Sequence, residues 1–322
     1  SNKMANGVDA EYYAKLQADL SVPQWNMATQ QKTAPGSTFK MVSATAAIEE
    51  GAVASIGETI LCTGVFDKLA PTIHRCWIYP SAHGAMNLSN AIANSCNSYF
   101  YEVGYRLSQD GTGYNSDYGL SRLKKYADLF GLTEKSGVEI MEAEPEFSNL
   151  YAVPSYIGQG THNYTTVGLA RYVTTVANSG TCYNLSILDK LTDSKGNVIE
   201  DYTPEVRNTV DLDNSLWNAI HSGMRQVVEK KKYYDDLAVH VAGKTGTAQQ
   251  DKTRANHALF VSYAPYEDPE ISVSVRIANG YSSDYAAQTA RDVYKYYYGL
   301  AKEEELVTGT ADTLDATAGT GD

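Results

Sequence analysis

The stretch "TQQKTAPGSTFKMVSATAAIEEG", residues 29–51, is the most informative part of the sequence, because a Pro-Gly turn delivers a serine onto an apolar segment. The apolar run ends at a glycine, which predicts a helix over 37–50. Ser37 would lie beside the unpaired N–H groups of the helix N-terminus, which could stabilise an oxyanion. Lys40 follows at the i+3 position, within reach of the Ser37 hydroxyl, as a nucleophile and its base require. A lone Ser-x-x-Lys pattern is nevertheless more often a helix N-cap followed by a solvated lysine.

A second motif, Ser95-Cys96-Asn97 in "ANSCNSYFYEVG", stands at the start of a predicted helix over 97–107. The Ser95 hydroxyl could relay a proton. The Asn97 amide could hold a substrate carbonyl or orient the amine of Lys40. This motif therefore supplies polar groups that a serine nucleophile can use.

A third motif, Lys244-Thr245-Gly246-Thr247 in "VAGKTGTAQQ", lies in a predicted strand. Lys244 would add positive charge near Lys40, and the two threonine hydroxyls could bind a carboxylate. Gly246 lacks the side chain that would obstruct a ligand lying along the strand. The order of the three motifs, together with the local structure predicted for each, argues against a chance match.

The composition indicates a globular protein. The chain has 322 residues, 43% of them hydrophobic, which is enough for a sizeable core. Its 26 basic and 38 acidic side chains give a net charge of -12, which argues against nucleic acid or an anionic membrane surface as a main partner. No run of apolar residues is long enough for a membrane span to be expected within this sequence.

Periodicity and turn residues predict an α+β fold, with a central antiparallel sheet flanked by helices. The last three strands have short connections, which favours antiparallel neighbours. Residues 301–322 are acidic and almost without large apolar groups, so we expect one domain over 1–300 and a disordered tail. The predicted helices span 37–50, 88–93, 97–107, 119–130, 165–178, 214–229 and 284–298. The predicted strands are "LDKLTDSKGNVIEDY", a hairpin around 195–197, then "VHVAGKTGTAQ", "HALFVSYAP" and "ISVSVRIANG".

With its three motifs in this order, the sequence resembles the transpeptidase domain of the class B, monofunctional penicillin-binding proteins over nearly all of residues 1–300. "WNMATQQKTAPGSTFK" resembles the family's approach to its nucleophile, and "SYIGQGTHNYTTVGLARYVTTVANSG" resembles its Gly-Gln-Gly loop and following helix. "NHALFVSYAP" resembles the strand after Lys-Thr-Gly. The resemblance implies the penicillin-binding-protein/serine β-lactamase-like fold, with an all-helical subregion beside the sheet. It also implies a D,D-transpeptidase that cross-links peptidoglycan stem pentapeptides and is acylated by β-lactams.

The resemblance implies a role for each motif residue. Ser37 would attack the penultimate D-alanine of a donor stem, and the backbone N–H groups of Ser37 and Thr247 would form the oxyanion hole. Lys40 would take the serine proton, and Ser95 would return a proton to the leaving amine. The other implied roles are Lys244 as a positive charge beside Lys40, Thr245 and Thr247 as ligands of the substrate carboxylate, Gly246 as the open position along the strand, and Asn97 as the group that holds the donor amide.

Cysteines gather between the first two motifs. Cys62, Cys76 and Cys96, with His83, make a donor set that suits tetrahedral zinc, although their spacing is not that of a standard zinc finger. The resemblance also implies a metal, because some class B relatives carry one beside the Ser-x-Asn motif. It would be structural, and catalysis would need no cofactor. A Cys62–Cys76 disulfide and three unlinked thiols are the alternatives, while Cys182 is interpreted as an incidental thiol.

The resemblance further implies a location at the extracytoplasmic face of a bacterial cell membrane. Class B proteins carry a membrane anchor and an N-terminal pedestal domain, whereas only 36 residues precede Ser37 here. We therefore expect the chain to be truncated at its start and anchored by a segment that it lacks. The implied partners are stem peptides on a lipid-linked precursor or on nascent strands, and a membrane glycosyltransferase of the cell-wall machinery.

Three other functions share parts of this pattern. A serine β-lactamase would need a base that activates water, and no Glu-x-x-x-Asn element stands where such enzymes place it. A D,D-carboxypeptidase differs only in using water as the acceptor. A β-lactam sensor would follow a pattern without the Ser-x-Asn motif. Beside the Gly-Gln-Gly loop, Gln159 is either a substrate-loop residue or a plain turn residue, and His162 is interpreted as a surface or supporting residue.

Overall fold

Short helices and strands alternate along the chain, and the computed structural model describes residues 7–20, 22–248 and 255–307. Within these ranges, 3-10 turns occur at Gly36–Phe39 and Lys232–Tyr234. The helices are Ala10–Ala18 (α1), Met27–Gln30 (α2), Lys40–Glu49 (α3), Leu88–Ala93 (α4), Asn97–Leu107 (α5), Ser116–Leu129 (α6), Ala152–Ser155 (α7), Thr166–Ala177 (α8), Asn214–Glu229 (α9), Ser283–Tyr297 (α10) and Glu303–Leu306 (α11). The strands are Lys32–Thr33 (β1), Ile60–Cys62 (β2), Val65–Leu69 (β3), Thr72–Arg75 (β4), Gly84–Met86 (β5), Tyr164–Thr165 (β6), Thr181–Asn184 (β7), Lys190–Thr192 (β8), Val198–Asp201 (β9), Glu205–Thr209 (β10), Ala242–Ala248 (β11), His257–Ala264 (β12) and Ile271–Ile277 (β13).

The largest sheet within the described residues consists of β11, β12 and β13, each antiparallel to the next. Successive residues of β12 point to opposite faces, as strand geometry requires. Ala258 and Phe260 pack with α10, whereas Leu259 and Val261 belong to the main core with residues of α8. The sheet is therefore covered on both faces by helices, and β11 forms one of its edges.

A group of helices surrounds α3. Every residue of α3 from Lys40 to Ala47 is buried, and the helix contacts α4, α5, α6 and α9. Small side chains such as Ser43, Ala44 and Ala46 let these neighbours approach closely. Because α3 is enclosed on all sides, its first turn is held firmly in place, and this turn follows the serine of the first motif.

The α+β architecture predicted from the sequence is confirmed. The hairpin predicted around 195–197 is formed by β8 and β9. The helix predicted over 37–50 starts as a 3-10 turn, and its α-helical part begins at Lys40. Helix α6 begins at Ser116 rather than at 119, because the Asn115 side chain caps it by accepting a hydrogen bond from Tyr118 N at 3.1 Å.

Several short strands escaped prediction, because segments of two to five residues carry too little periodicity. The pairs β2–β5 and β3–β4 form the region that carries Cys62 and Cys76. In the segment predicted to be disordered, α11 forms one helical turn, and residues 308–322 lie outside the described residues. Within the described part of the chain, we find no helix with the length and apolar character that a bilayer crossing requires.

Candidate active site

The serine of the first motif lies in a tightly fixed turn. Ser37 is in the 3-10 turn that leads into α3, and only 4% of its surface is exposed. The Lys40 backbone N–H donates to the Ser37 carbonyl, so the lysine begins one turn behind the serine. Thr38 Oγ1 donates to Pro35 O at 2.8 Å, and the Tyr172 hydroxyl donates to Thr38 O at 3.1 Å. The first bond lies within the turn, and the second joins the turn to α8, so both hold it in place.

Two buried lysines meet at the hydroxyl of Ser95. Lys40 Nζ donates to Ser95 O at 2.8 Å, to Ser95 Oγ at 3.1 Å and to Asn97 Oδ1 at 2.7 Å. Lys244 Nζ donates to Ser95 Oγ at 2.9 Å and to Thr245 O at 3.0 Å. Neither lysine is exposed to solvent. The first, second and third sequence motifs therefore converge on one cluster.

Ser95 has an unusual backbone conformation. Its φ of 50° lies in the left-handed region, which non-glycine residues rarely adopt. Hydrogen bonds from Ser95 N to Ile92 O and from Cys96 N to Ala91 O close the end of α4, and α5 begins immediately afterwards at Asn97. The left-handed turn lets one short segment present both Ser95 and Asn97 to Lys40. Backbone strain of this kind is common at functional sites.

The edge strand β11 lies against the serine turn. A Cβ on Gly36, whose φ is 52°, would lie 2.5 Å from Thr247 O. A Cβ on Gly246 would lie 2.9 Å from Pro35 O. The sequence predicted that Gly246 leaves room for a ligand, whereas in the structure the space beside its Cα is filled by the serine turn. Thr245 is buried in β11, and Thr247 is partly exposed.

The Gly-Gln-Gly loop, residues 158–160, supports the serine turn from another side. Gly36 N donates to Gly158 O at 3.0 Å, and a Cβ on Gly158 would overlap the Gly36 carbonyl oxygen. Gln159 Nε2 donates to Thr247 O at 3.3 Å. This contact agrees with the interpretation of Gln159 as a substrate-loop residue, which puts it beside the site, rather than as a plain turn residue.

His162 is buried behind the serine turn rather than at the surface. Its ring lies 4.5 Å from the Phe39 ring, and only 3% of the residue is exposed. Its Nδ1 accepts a hydrogen bond from Ser148 N at 3.0 Å, and its Nε2 bonds Ser155 O at 3.2 Å. Burial lowers the pKa of His162 to about 3, so the ring is neutral at physiological pH. Its position beside the Gly-Gln-Gly loop was the only sequence signal of this supporting role.

The predicted metal ligands also come together. Single donor atoms of Cys62, Cys76, His83 and Cys96 all lie within 4.8 Å of one another. His83 Nδ1 lies 3.6 Å from Cys62 Sγ and 3.5 Å from Cys76 Sγ. All four cysteines of the chain are free thiols, so the alternative Cys62–Cys76 disulfide is not formed. Cys182 is buried in β7, away from this cluster.

The cysteine cluster adjoins the start of α5. The hydrogen bond from the Cys96 thiol lowers the pKa of Cys76, and the backbone N–H groups of Ser98, Ile78 and Asn97 act in the same direction against the opposing effect of burial. Cys96 is the middle residue of the second motif. The cluster is therefore directly joined through Cys96 to the backbone of Ser95 and Asn97.

The site has the features of the Ser-x-x-Lys class of serine acyl-transfer proteins. These are a serine on a helical turn, a buried lysine one turn behind it and a second lysine on a sheet edge. The family model "Penicillin binding protein transpeptidase domain" matches residues 3–295. The chain belongs to this family.

Individual relatives agree with this assignment. Peptidoglycan D,D-transpeptidase MrdA of Haemophilus influenzae is 28% identical, in an alignment that covers 92% of this chain and 49% of that protein. The chain spans about half the length of the curated relatives it matches. The class B resemblance inferred from the motifs is thus confirmed.

Solved structures show the same fold. The crystal structure of Pseudomonas aeruginosa PBP2 in complex with WCK 5153 matches with a TM-score of 0.78 and 25% identity, covering 92% of this chain and 68% of that one. A chain from a peptidoglycan synthase complex, studied for the coordination of polymerization and crosslinking, matches with a TM-score of 0.79 and 26% identity. That match covers 92% of this chain and 51% of the other.

Proposed function

We propose that this chain carries out the acyl transfer of a peptidoglycan D,D-transpeptidase, with Ser37 as the nucleophile. One observation carries the proposal: the fully buried amine of Lys40, one turn behind Ser37, is held 3.1 Å from Ser95 Oγ and 2.7 Å from Asn97 Oδ1. An amine enclosed in this way is suited to accept the proton of a serine nucleophile. The relatives named as D,D-transpeptidases support the choice of substrate class.

In the first half-reaction, Ser37 Oγ attacks the carbonyl carbon of the penultimate D-alanine of a donor stem, and its proton passes to Lys40 Nζ. The backbone N–H groups of Ser37 and Thr247 bind the oxyanion. As the C–N bond to the terminal D-alanine breaks, a proton reaches the leaving amine through Ser95, whose Oγ accepts hydrogen bonds from both lysines. D-alanine leaves, and the acyl group remains on Ser37 as an ester.

In the second half-reaction, an amine of an acceptor stem attacks the ester carbonyl and loses its proton to Lys40. A new amide forms, and Ser37 recovers its hydroxyl. Thr245 and Thr247 bind the terminal carboxylate of the donor through their hydroxyls. Lys244 adds positive charge near Lys40, with which it shares the Ser95 hydroxyl. Asn97 holds the donor amide. β-Lactams acylate Ser37 by the same first step, and their adduct persists.

A product assay distinguishes this function from the carboxypeptidase and β-lactamase alternatives. The protein is incubated with a peptide ending in D-Ala-D-Ala and with an amine acceptor, and products are separated by mass. We expect the amide of donor and acceptor, with one D-alanine released for each amide formed. Hydrolysed donor alone would instead indicate a carboxypeptidase, and rapid consumption of added penicillin without a lasting adduct would indicate a β-lactamase.

We also propose that Cys62, Cys76, His83 and Cys96 bind a structural zinc ion. In a tetrahedral site, a sulfur about 2.3 Å and a nitrogen about 2.1 Å from zinc lie about 3.6 Å apart. The two separations between His83 Nδ1 and a cysteine sulfur, 3.6 Å and 3.5 Å, fit this geometry. The ion would hold the loop before Ser95, as structural metals generally do, and would take no part in acyl transfer.

The zinc proposal predicts metal content directly. The purified wild-type protein should carry about one zinc ion per chain by elemental mass spectrometry, because three thiolates and one imidazole complete a closed tetrahedral site. Cys76→Ser should lose most of this zinc, and a chelator should lower the Tm of the wild type much more than that of the variant. Cys182→Ser is the control, since it removes another buried free thiol outside the cluster. If the two variants carried equal amounts of zinc, or if the wild type carried none, the alternative of three unlinked thiols would be correct.

The setting of this activity is also proposed from relatives. The donor and acceptor stems would belong to a lipid-linked precursor or to nascent peptidoglycan strands at the extracytoplasmic face of a bacterial membrane. A membrane glycosyltransferase of the cell-wall machinery would be the partner, which is supported by the similarity to a chain of a peptidoglycan synthase complex. Anchoring by a segment N-terminal to these residues is proposed from the class B resemblance.

A further inference from the structure

One of the two N–H groups of the oxyanion hole proposed above, that of Thr247, lies on the edge strand of the sheet. We propose that Gln159 is a positioning residue, which fixes the Thr247 backbone N–H in that hole by binding the Thr247 carbonyl. The inference rests on the proposed function, because it gives a purpose to a contact that the acyl-transfer steps do not use. Its basis is the hydrogen bond from Gln159 Nε2 to Thr247 O.

Strand geometry links the two groups of Thr247. In a β-strand, the N–H and C=O of one residue point to the same side, so that antiparallel partners can exchange both bonds. The carbonyl of Thr247 points towards Gln159, and the hypothetical Cβ of Gly36 would lie 2.5 Å from this oxygen and 3.2 Å from Thr247 N. The N–H of Thr247 therefore faces the serine turn as well. The two groups belong to the peptide units on either side of the Thr247 Cα, so a bond that fixes the carbonyl restrains the N–H as long as Thr247 keeps its extended strand conformation.

The edge position of β11 makes such a group necessary. Within the sheet, β12 pairs with one side of β11, while the other side faces the serine turn and has no neighbouring strand among the described residues. An N–H that is aimed at an oxyanion must be fixed before the reaction to contribute fully to transition-state stabilisation. On this side of β11, the Gln159 amide supplies the bond that a neighbouring strand would otherwise supply.

The loop that carries Gln159 is itself rigid. A Cβ on Gly158 would overlap the Gly36 carbonyl oxygen, and a Cβ on Gly160 would overlap the hydroxyls of Ser155 and Ser148. Both glycines have positive φ angles, 75° and 74°. The Gln159 side chain is thus delivered from a loop that is packed on both sides. Because Gly158 O also accepts the hydrogen bond from Gly36 N, the same loop contacts both halves of the proposed hole.

The test compares Gln159→Leu and Gln159→Glu with the wild type in stopped-flow acylation by penicillin. We expect Gln159→Leu to lower the acylation rate constant by about 10- to 50-fold, less than the roughly 10²- to 10³-fold loss when an oxyanion donor is removed outright. The affinity for penicillin before acylation should change less than about twofold, since the hole binds charge that develops only in the transition state. In the penicillin adduct of Gln159→Leu, the infrared band of the acyl carbonyl should move to higher wavenumber.

A pH profile separates positioning from general support of the fold. An ionised glutamate at 159 cannot donate to Thr247 O, but a protonated one can, and the ordinary pKa of glutamate is about 4.3. The ratio of acylation rates, Gln159→Glu over Gln159→Leu, should therefore rise as the pH falls from 7 towards 4. Gln109→Leu is the matched control, because Gln109 is also half-buried and donates its amide to a backbone carbonyl, that of Tyr105. It should acylate like the wild type.

Each outcome bears on a separate claim. Wild-type acylation rates in Gln159→Leu, an unshifted carbonyl band or a flat pH ratio would overturn the role of Gln159, while labelling at Ser37 would still support the proposed function. A wild-type protein that penicillin never acylates would overturn both. If Gln159→Leu does not fold, the pH dependence of Gln159→Glu alone, measured against the wild type, decides the matter.

Discussion

Replacing Ser37 with alanine is expected to abolish covalent capture of penicillin, with the acylation rate falling by about 10⁵-fold or more, as in other enzymes that lose their nucleophile. The change removes one oxygen from a turn that hydrogen bonds among Pro35, Thr38 and Tyr172 hold without it. The turn should therefore keep its shape, and the loss should be purely chemical. Intact-mass spectrometry after incubation with penicillin measures the result, as a mass increase in the wild type that is missing from the variant.

Ser43→Ala is the control for this experiment. Ser43 lies in the same buried helix and donates its hydroxyl to Tyr156 O at 2.7 Å, so its loss costs a hydrogen bond but no nucleophile. The control should lose about 1 to 3 kcal/mol of stability and still be acylated at Ser37 like the wild type. If Ser37→Ala gained the same mass as the wild type, another residue would be the nucleophile and the assigned mechanism would be wrong.

Lys40→Met is expected to lower the acylation rate by about 10³-fold, within the range of about 10²- to 10⁴-fold that general acid–base catalysis contributes. Methionine has a similar length and can occupy the buried position, but it cannot accept the Ser37 proton. It also releases Ser95 and Asn97, which the Lys40 amine now holds at 3.1 Å and 2.7 Å. Single-turnover kinetics with a chromogenic β-lactam would measure the loss.

Lys40→Met should change the free energy of unfolding much less than it changes the acylation rate. The variant leaves acceptors on Ser95 and Asn97 unpaired, which is unfavourable, but it also removes a buried polar group whose desolvation opposes folding. These effects oppose one another, so we expect a net change of about 2 kcal/mol or less by denaturant unfolding. Lys231→Met is the control: this amine is also largely buried and pairs with Asp284, outside the site. A Lys40→Met protein that acylates at the wild-type rate would exclude Lys40 as the base.

Local patterns in the sequence were sufficient to predict much of the secondary structure and many residues of the site. A Pro-Gly turn before an apolar run predicts the turn and helix that carry Ser37 and Lys40, because both signals act within a few residues. Three apolar segments with short connections predict the antiparallel sheet. The donor set at Cys62, Cys76, His83 and Cys96 could be proposed from residue type and from the resemblance. The short strands around those cysteines could not, since they are too brief to show a period.

Contacts between residues that are far apart in the sequence could not be predicted from local patterns. The partners of Lys40 lie 55 and 57 residues further along, and Lys244 reaches Ser95 over 149 residues. Sequence separation carries no information about whether such atoms meet, because their contact depends on how helices and strands pack. The buried position of His162 and the contact of Gln159 with Thr247 O belong to the same category.

The chemical groups of the site, the order of the motifs, the α+β class and the family were therefore predictable from the amino-acid sequence. Three features became visible only in the folded chain: both lysines share the Ser95 hydroxyl, the serine turn fills the space beside Gly246, and a glutamine amide bonds the edge of β11. The physical reason is that residue types and local backbone preferences act over a few positions, whereas hydrogen-bond geometry and close packing are settled only when distant segments meet.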